Sequence, residues 1–331
     1  MSIIHVVLSG GVGSRLWPLS TKERPKQYLP LFDDKTLFCH TVERNRPFCE
    51  QVIVVGNKDN YQLSRNELEL IGLTDYTEIV EAAPRNTAAA IAFAAFSVAP
   101  EAILLVTPSD HIISNEKAYS NAFKSAFQWA KNDYLVTFGI TPHKPETGYG
   151  YIEYDGNEVS SFREKPDAHT ATQFLESGRF LWNSGMFCFK AGIFLEELAQ
   201  YEPELYAAAQ RAWQKQQGGF IPSFETLAIP SKSIDYAVME RSQRIKVVPA
   251  TFEWYDLGSY EALWDYFEAQ GHTHHFKGNN MVMQTSQKRV ELVGVDELVI
   301  VETEDAILVM QKQESQNVKK LQESLERRNK Q

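Results

Sequence analysis

The sequence predicts an α/β protein: a doubly wound, mostly parallel sheet followed by a small β unit. Three observations predict it. Short, continuous apolar runs alternate with helical patterns through the first half, as in a sheet buried on both faces. The first run, Ile3–Leu8, ends directly in a glycine loop. From residue 279 to 312 the pattern changes to short β-type runs with no helix between them.

Taken in order, the strands of the first half are Ile3–Leu8, 52–55, 103–107 and 135–139. An alanine-rich helix is expected over 87–98, where Asn86 or Thr87 can cap it, and an amphipathic one over 119–131. Further strands are expected at 149–154, 159–163 and 185–190, and helices at 194–200, 204–216, 234–241 and 259–270. A histidine-rich link, 271–278, then leads to the β-type segment and to a polar helix over 314–330. The spacing of His272, His274 and His275 fits no zinc pattern, so a solvated linker is expected. The domain boundary is placed near residue 272, giving 1–271 and 272–331.

The bulk composition narrows the function. Hydrophobic residues make up 43% of the 331 and charged residues 23%, an ordinary globular mixture that excludes a disordered chain. The net charge of −10 disfavours nucleic acid and anionic membrane as partners. Three cysteines, an odd number with no pair at metal spacing, disfavour a disulfide framework and fit a reducing, cytoplasmic setting. The N-terminal run is interrupted by His5 and Ser9 and lacks a basic start, so it reads as a buried strand rather than a signal peptide.

The glycine loop reads Leu8-Ser9-Gly10-Gly11-Val12-Gly13-Ser14-Arg15-Leu16. Backbone N–H groups in such a loop can approach phosphate oxygens. It is no P-loop, lacking Gly-Lys-Ser/Thr at the right spacing, and no dinucleotide fingerprint, since Leu16 stands where the third glycine belongs. By itself it reads equally as a tight turn. Arg15 and Lys26, the latter aimed by Pro25, favour the phosphate reading; solvated surface cations are the alternative. Asp110 follows the strand 103–107, at the end of a sheet where ligands bind, though a turn carboxylate reads the same way. Asp256 is either its partner at a Mg²⁺ site or a helix N-terminal acid.

Gly10 to Gln27, GGVGSRLWPLSTKERPKQ, resembles the signature of the sugar-nucleotide pyrophosphorylases, and in particular of the mannose-1-phosphate guanylyltransferases. Further similar segments follow in order: Pro84-Arg85-Asn86-Thr87-Ala88, Ser109-Asp110-His111, Thr147-Gly148-Tyr149-Gly150-Tyr151-Ile152 and Phe162-Arg163-Glu164-Lys165-Pro166. After them come Trp182-Asn183-Ser184-Gly185-Met186-Phe187, Ser233-Ile234-Asp235-Tyr236-Ala237-Val238-Met239-Glu240 and Asp256-Leu257-Gly258-Ser259.

The resemblance implies a Rossmann-like GT-A nucleotidyltransferase domain with a mixed, mostly parallel sheet, and a small C-terminal domain like a left-handed β-helix. It implies GTP and mannose 1-phosphate as substrates and Mg²⁺ on Asp110 and Asp256. Arg15, Lys26, Asp110 and Lys165 become the catalytic set. Nucleotide contacts are expected from Leu8, Gly10, Gly11, Gly13, Ser14, Arg15, Lys26, Glu81, Pro84, Arg85, Asn86, Thr87 and Ser109. The sugar phosphate is expected at Gly148, Tyr149, Glu164, Lys165, Asn183 and Ser184. Asn183 can donate and accept, which suits a sugar hydroxyl; a buried, backbone-satisfied Asn is the alternative. A homodimer is expected, because an exposed coil edge wants covering. The segment 279–290 is short for a complete coil. Transfer of another base or hexose, and a silent sugar-nucleotide sensor, are the alternatives. A fused phosphomannose isomerase half is not expected, because the chain stops where it would begin.

Overall fold

The computed structural model describes residues 2–11, 13–32, 35–286 and 288–328. Val12 of the glycine loop therefore lies outside the described residues. The chain groups into two compact units. One comprises Met1–Gly10, Cys39–Ser109 and Ile113–Trp254; the other comprises Gly11–Phe38, Asp110–Ile112 and Tyr255–Gln331.

The first unit is built on a ten-stranded mixed sheet. Its strands are β1 (Ile3–Leu8), β2 (Gln51–Asn57), β3 (Thr77–Glu81) and β4 (Ile103–Pro108), then, past a short β5 (Ile112–Ser114), β6 (Leu135–Ile140), β7 (Tyr151–Asp155) and β8 (Glu158–Arg163). They continue as β9 (Phe180–Lys190), β10 (Phe220–Ile221) and β11 (Ile245–Pro249). The spatial order is β10-β3-β2-β1-β4-β9-β6-β11-β8-β7. The run from β10 to β4 is parallel throughout, and β9 enters antiparallel between β4 and β6. β1, β2, β3 and β4 therefore all end on one edge, and there the chain turns into Ser9, Asn57, Glu81 and Ser109.

Two apolar layers cover this sheet. One gathers Val6, Ile53, Leu104 and Phe187 with the alanine face of the helix Asn86–Phe96 and with Phe194, Leu198 and Leu205. The other gathers Leu105, Val136 and Cys188 with Tyr119, Phe123 and Ala126 of the helix Glu116–Lys131. Burying eight consecutive residues of Asn86–Phe96, Ala88 to Ala95, explains the alanines: only a small side chain permits close approach all round. The cysteines Cys39, Cys49 and Cys188 form no disulfide among the described residues.

The second unit has its own core. Leu16, Phe32 and Leu37 pack with Leu257, Tyr260 and Trp264, and with Met281, Val299 and Val318. The helix Tyr260–Ala269 is capped by Ser259, whose Oγ accepts from the Ala262 N–H at 3.3 Å. Three strands, Met281–Gln284, Leu298–Glu302 and Ile307–Gln311, form a small sheet, and Val318–Arg328 is helical. The run VELVGV, expected as a β segment, is not a strand. His275 stacks on Phe267, and the rings of His272, His274 and His275 meet one another edge-on or tilted.

Candidate functional site

In the second unit the glycine loop and the acids come together around one lysine. Gly13 has φ +73°, left-handed backbone that suits glycine, and a Cβ there would strike the Lys26 side chain. Ser20 Oγ donates to the Gly13 carbonyl at 2.5 Å and Gln27 Nε2 to the Gly11 carbonyl at 3.0 Å, so the loop is held from within. Lys26 is buried, 3% exposed. Its Nζ donates to Asp110 Oδ2 at 2.9 Å and to the Asp256 carbonyl. Asp256 Oδ1 accepts from the Gly258 N–H at 3.0 Å, and Leu257 between them has φ +47°. Burial would raise the Asp110 carboxyl, but the Lys26 ammonium and His111 outweigh it and hold it below the ordinary range. Arg15 is less buried, and its Nη1 donates to Gln316 Oε1 at 3.1 Å. Arg15 and Ser14 stand on a single 3-10 turn, Ser14–Leu16, and the Leu16 carbonyl accepts from Tyr260 OH at 2.8 Å.

The donor set fits a divalent ion. The Asp110 carboxylate and the Asp256 backbone carbonyl meet at one ammonium, which brings the two residues to one place, and Asp110 is kept ionised. Two hard carboxylates leave most of a shell to phosphate oxygens and water, as Mg²⁺ prefers. Among the described residues no cluster of three or more His, Cys, Asp or Glu side chains could hold a metal by itself.

In the first unit two further groups stand out. At the edge after β1 and β2, Asn60 Nδ2 donates to the Ser9 carbonyl at 2.8 Å and Asn57 Nδ2 to the Gly10 carbonyl at 3.3 Å. Leu8 ends β1 beside them, and Ser109 is buried after β4. Glu81 ends β3, is buried, and its Oε1 has no hydrogen-bond partner among the described residues. Burial pushes its carboxyl up to about 8, only partly offset by the Arg85 N–H. Pro84 leads to Arg85, whose guanidinium donates to the Thr226 carbonyl at 3.0 Å and to the Leu227 carbonyl. Asn86 has φ +67° and its Oδ1 accepts from the Thr87 N–H at 2.8 Å, while the Thr87 hydroxyl accepts from the Ile234 N–H. Of the two expected caps, Asn86 thus satisfies a helix N–H and Thr87 ties a second loop.

The other group is built from β6, β8, β9 and the π-helical turn Asp235–Met239. Glu164 lies on the bare Cα of Gly150, where a Cβ would stand 2.5 Å from its Oε2. Lys165, with φ +48°, returns its Nζ to Glu164 Oε1 at 2.8 Å. The Gly148 N–H donates to Glu146 Oε1 at 2.9 Å, and Tyr149 packs edge-on against Trp182. Asn183 Nδ2 donates to Asp235 Oδ1 at 2.9 Å, and Ser184 is buried beside it. Asp235 and Glu240 belong to a quoted motif, yet its spacing gave them no role; a helix was expected over 234–241, and the π turn replaces it.

The pattern of the nucleotidyl transferase family matches residues 4–272, and a mannose-phosphate-isomerase/GMP-like β-helix pattern matches 276–325. The chain belongs to the nucleotidyl transferase family. The mannose-1-phosphate guanylyltransferase RfbM of Salmonella typhimurium is 39% identical over 99% of this chain and 73% of its own length. The alginate biosynthesis protein AlgA of Pseudomonas syringae is 38% identical over 96% of this chain and 71% of its own. Among solved structures, the mannose-1-phosphate geranyltransferase of Thermus thermophilus superposes with a TM-score of 0.83 at 28% identity, covering 98% of this chain and all of that one. The α/β nucleotidyltransferase fold with a β-helix-like C-terminal part is thus as the sequence predicts. Members of the family generally use a divalent metal. No described helix is long and apolar enough to cross a membrane.

Proposed function

We propose that the chain joins GTP and mannose 1-phosphate to give GDP-mannose and pyrophosphate. The observation that carries this is the buried Lys26, tied to Asp110 and Asp256 beside the signature glycine loop. The names of the RfbM and Thermus relatives support mannose 1-phosphate as the acceptor.

The chemistry needs positioning more than proton transfer. A phosphate monoester has a second pKa of about 6, so the sugar phosphate is already charged near neutrality. Its oxygen attacks the α-phosphorus of GTP in line and pyrophosphate leaves. The obstacle is repulsion between two anions, which cations can offset. Arg15 and Lys26 hold the triphosphate, with Gly11, Gly13 and Ser14 offering backbone N–H groups; Leu8, Gly10 and Ser109 are assigned as further nucleotide contacts. Lys165 holds the sugar phosphate; Glu164, Asn183, Ser184, Gly148 and Tyr149 face the sugar. Guanine presents an N1–H and an amino group, and Glu81 as a carboxylate accepts from both, releasing its proton to solvent. Pro84, Arg85, Asn86 and Thr87 shape that base loop. Asp110 and Asp256 would hold Mg²⁺, which would supply charge neutralisation to the phosphates.

We place the catalytic domain at 1–271 and the small β domain at 272–331, which the extents of the two family matches support. We also propose a homodimer, favoured by exposed Ile307 and Val309 on the outer strand Ile307–Gln311, and a cytoplasmic setting, favoured by cysteines that form no disulfide.

Pyrophosphate release tests the reading. GTP, ATP, UTP and dTTP are each offered with mannose 1-phosphate and glucose 1-phosphate, with Mg²⁺. GTP with mannose 1-phosphate is expected to turn over fastest, and no release from any pair would end the proposal. Light scattering on the purified chain tests the dimer.

A further inference from the structure

Asn183 is almost fully committed within the protein. Its Oδ1 accepts from Thr137 Oγ1 at 3.0 Å and from the Gly185 N–H at 3.1 Å, which uses both lone pairs. Its Nδ2 gives one proton to Asp235 Oδ1 at 2.9 Å. One N–H remains. A carboxylate can only accept, so Asp235 fixes which end of the amide is nitrogen. The Gly185 N–H can only donate, so it fixes the oxygen end as Asp235 fixes the nitrogen end; Thr137, whose one proton also has the Met186 carbonyl within reach at 3.3 Å, decides neither.

The π-helical turn Asp235–Met239 places this carboxylate at its start, and Glu240 follows its end. Glu240 Oε1 accepts from the Glu164 N–H at 3.3 Å. The same turn thus braces both Asn183 and the backbone of Glu164. π turns are rare and recur at functional sites. Asp235 is also close enough to Glu164 for the two charges to disfavour one another.

We infer that Asp235 is a positioning residue for the sugar: together with the Gly185 N–H it holds the Asn183 amide so that its remaining N–H, and no acceptor, is left for the substrate. The hydroxyl that Asn183 meets is recognised through its lone pair, and its own proton goes to a neighbouring acceptor, the role given to Glu164 above. This inference rests on the sugar-site reading above. Wild-type turnover of GTP with mannose 1-phosphate tests that reading separately.

The experiment compares steady-state constants and melting temperatures of Asp235→Ala, Asn183→Ala, their double variant and the exchange Asn183→Asp/Asp235→Asn. Losing one sugar hydrogen bond corresponds to about a tenfold rise in KM for mannose 1-phosphate. Asp235→Ala is expected to show that rise with KM for GTP unchanged, and to add nothing further in the Asn183→Ala background. The exchange preserves the side-chain hydrogen bond but removes the free N–H. It should therefore melt near wild type and still bind the sugar phosphate about tenfold more weakly. Additive single effects, an unchanged sugar-phosphate KM in Asp235→Ala, or an exchange that restores both melting and KM would each overturn the inference. The exchange decides the matter even if Asp235→Ala does not fold.

Discussion

Burial pushes the Asp110 carboxyl up, and the Lys26 ammonium and His111 more than offset it. Removing its charge leaves the buried Lys26 ammonium without its carboxylate, so folding as well as chemistry should suffer. Asp110→Asn is expected to lower turnover about 10²- to 10³-fold, the loss typical of one electrostatic stabiliser, and to lower the melting temperature while the chain still folds. Pyrophosphate release and calorimetry check the two halves. Glu81 is the opposite case. Its carboxyl stands at about 8 in the folded chain, against 4.5 ordinarily, because it is buried with one oxygen unpaired. Folding favours its protonated form, so the stabilising contribution is complete below pH 4.5 and is lost as pH rises through 8. Glu81→Gln should remove that loss. Its melting temperature should fall less than that of wild type between about pH 5 and 8, with a difference of the order of a few kcal/mol by pH 8. The same variant should narrow the preference for GTP over ATP, since Gln can accept only through one oxygen.

At the scale of elements, backbone geometry decides what side-chain chemistry can do. Non-glycine residues with positive φ include Asn86, Lys165 and Leu257, one in the base loop, one in Glu164-Lys165-Pro166 and one after Asp256. Such conformations cost of order 1–3 kcal/mol each and persist where surrounding structure enforces them. Gly13 is the corresponding glycine. Gly13→Ala adds a Cβ where Lys26 packs and forces a left-handed alanine. It should cost at least about 1 kcal/mol in denaturant unfolding and reduce turnover, through displacement of Lys26. The motifs around these positions were legible in the sequence, but several elements were not. The expected strand 185–190 extends back to Phe180, because Asn183-Ser184-Gly185 reads as a break while neighbours on both sides pair with it. Ile245–Pro249 was missed because Lys246 and Pro249 lower its strand signal, although it pairs parallel with β6.

For the whole molecule, the sequence places the glycine loop near the N-terminus and the small sheet near the C-terminus, and one core contains both. Leu16 and Val318 belong to the same apolar cluster. Val318→Asp puts an unpaired charge there and should cost several kcal/mol. Both calorimetric stability and KM for GTP should suffer, because the loop carrying Arg15 and Lys26 loses its support. A stability loss with KM for GTP unchanged would show that the loop holds itself.

The amino-acid pattern determined the fold class and the identity of the chemical groups. Apolar runs at strand length require a buried sheet, and the glycine loop with Arg15 and Lys26, followed by acidic motifs in order, carries the resemblance that implies a phosphate chemistry. Tertiary structure alone decided which of those groups meet. Lys26 reaches Asp110 and Asp256 across 84 and 230 residues of chain, and Asn183 reaches Asp235 across 52. Periodicity is a local property, whereas a hydrogen bond between distant residues depends on how the whole sheet and its loops close. For the same reason Asp235 appeared in the sequence only as a member of a motif, and its place against the Asn183 amide came from the fold.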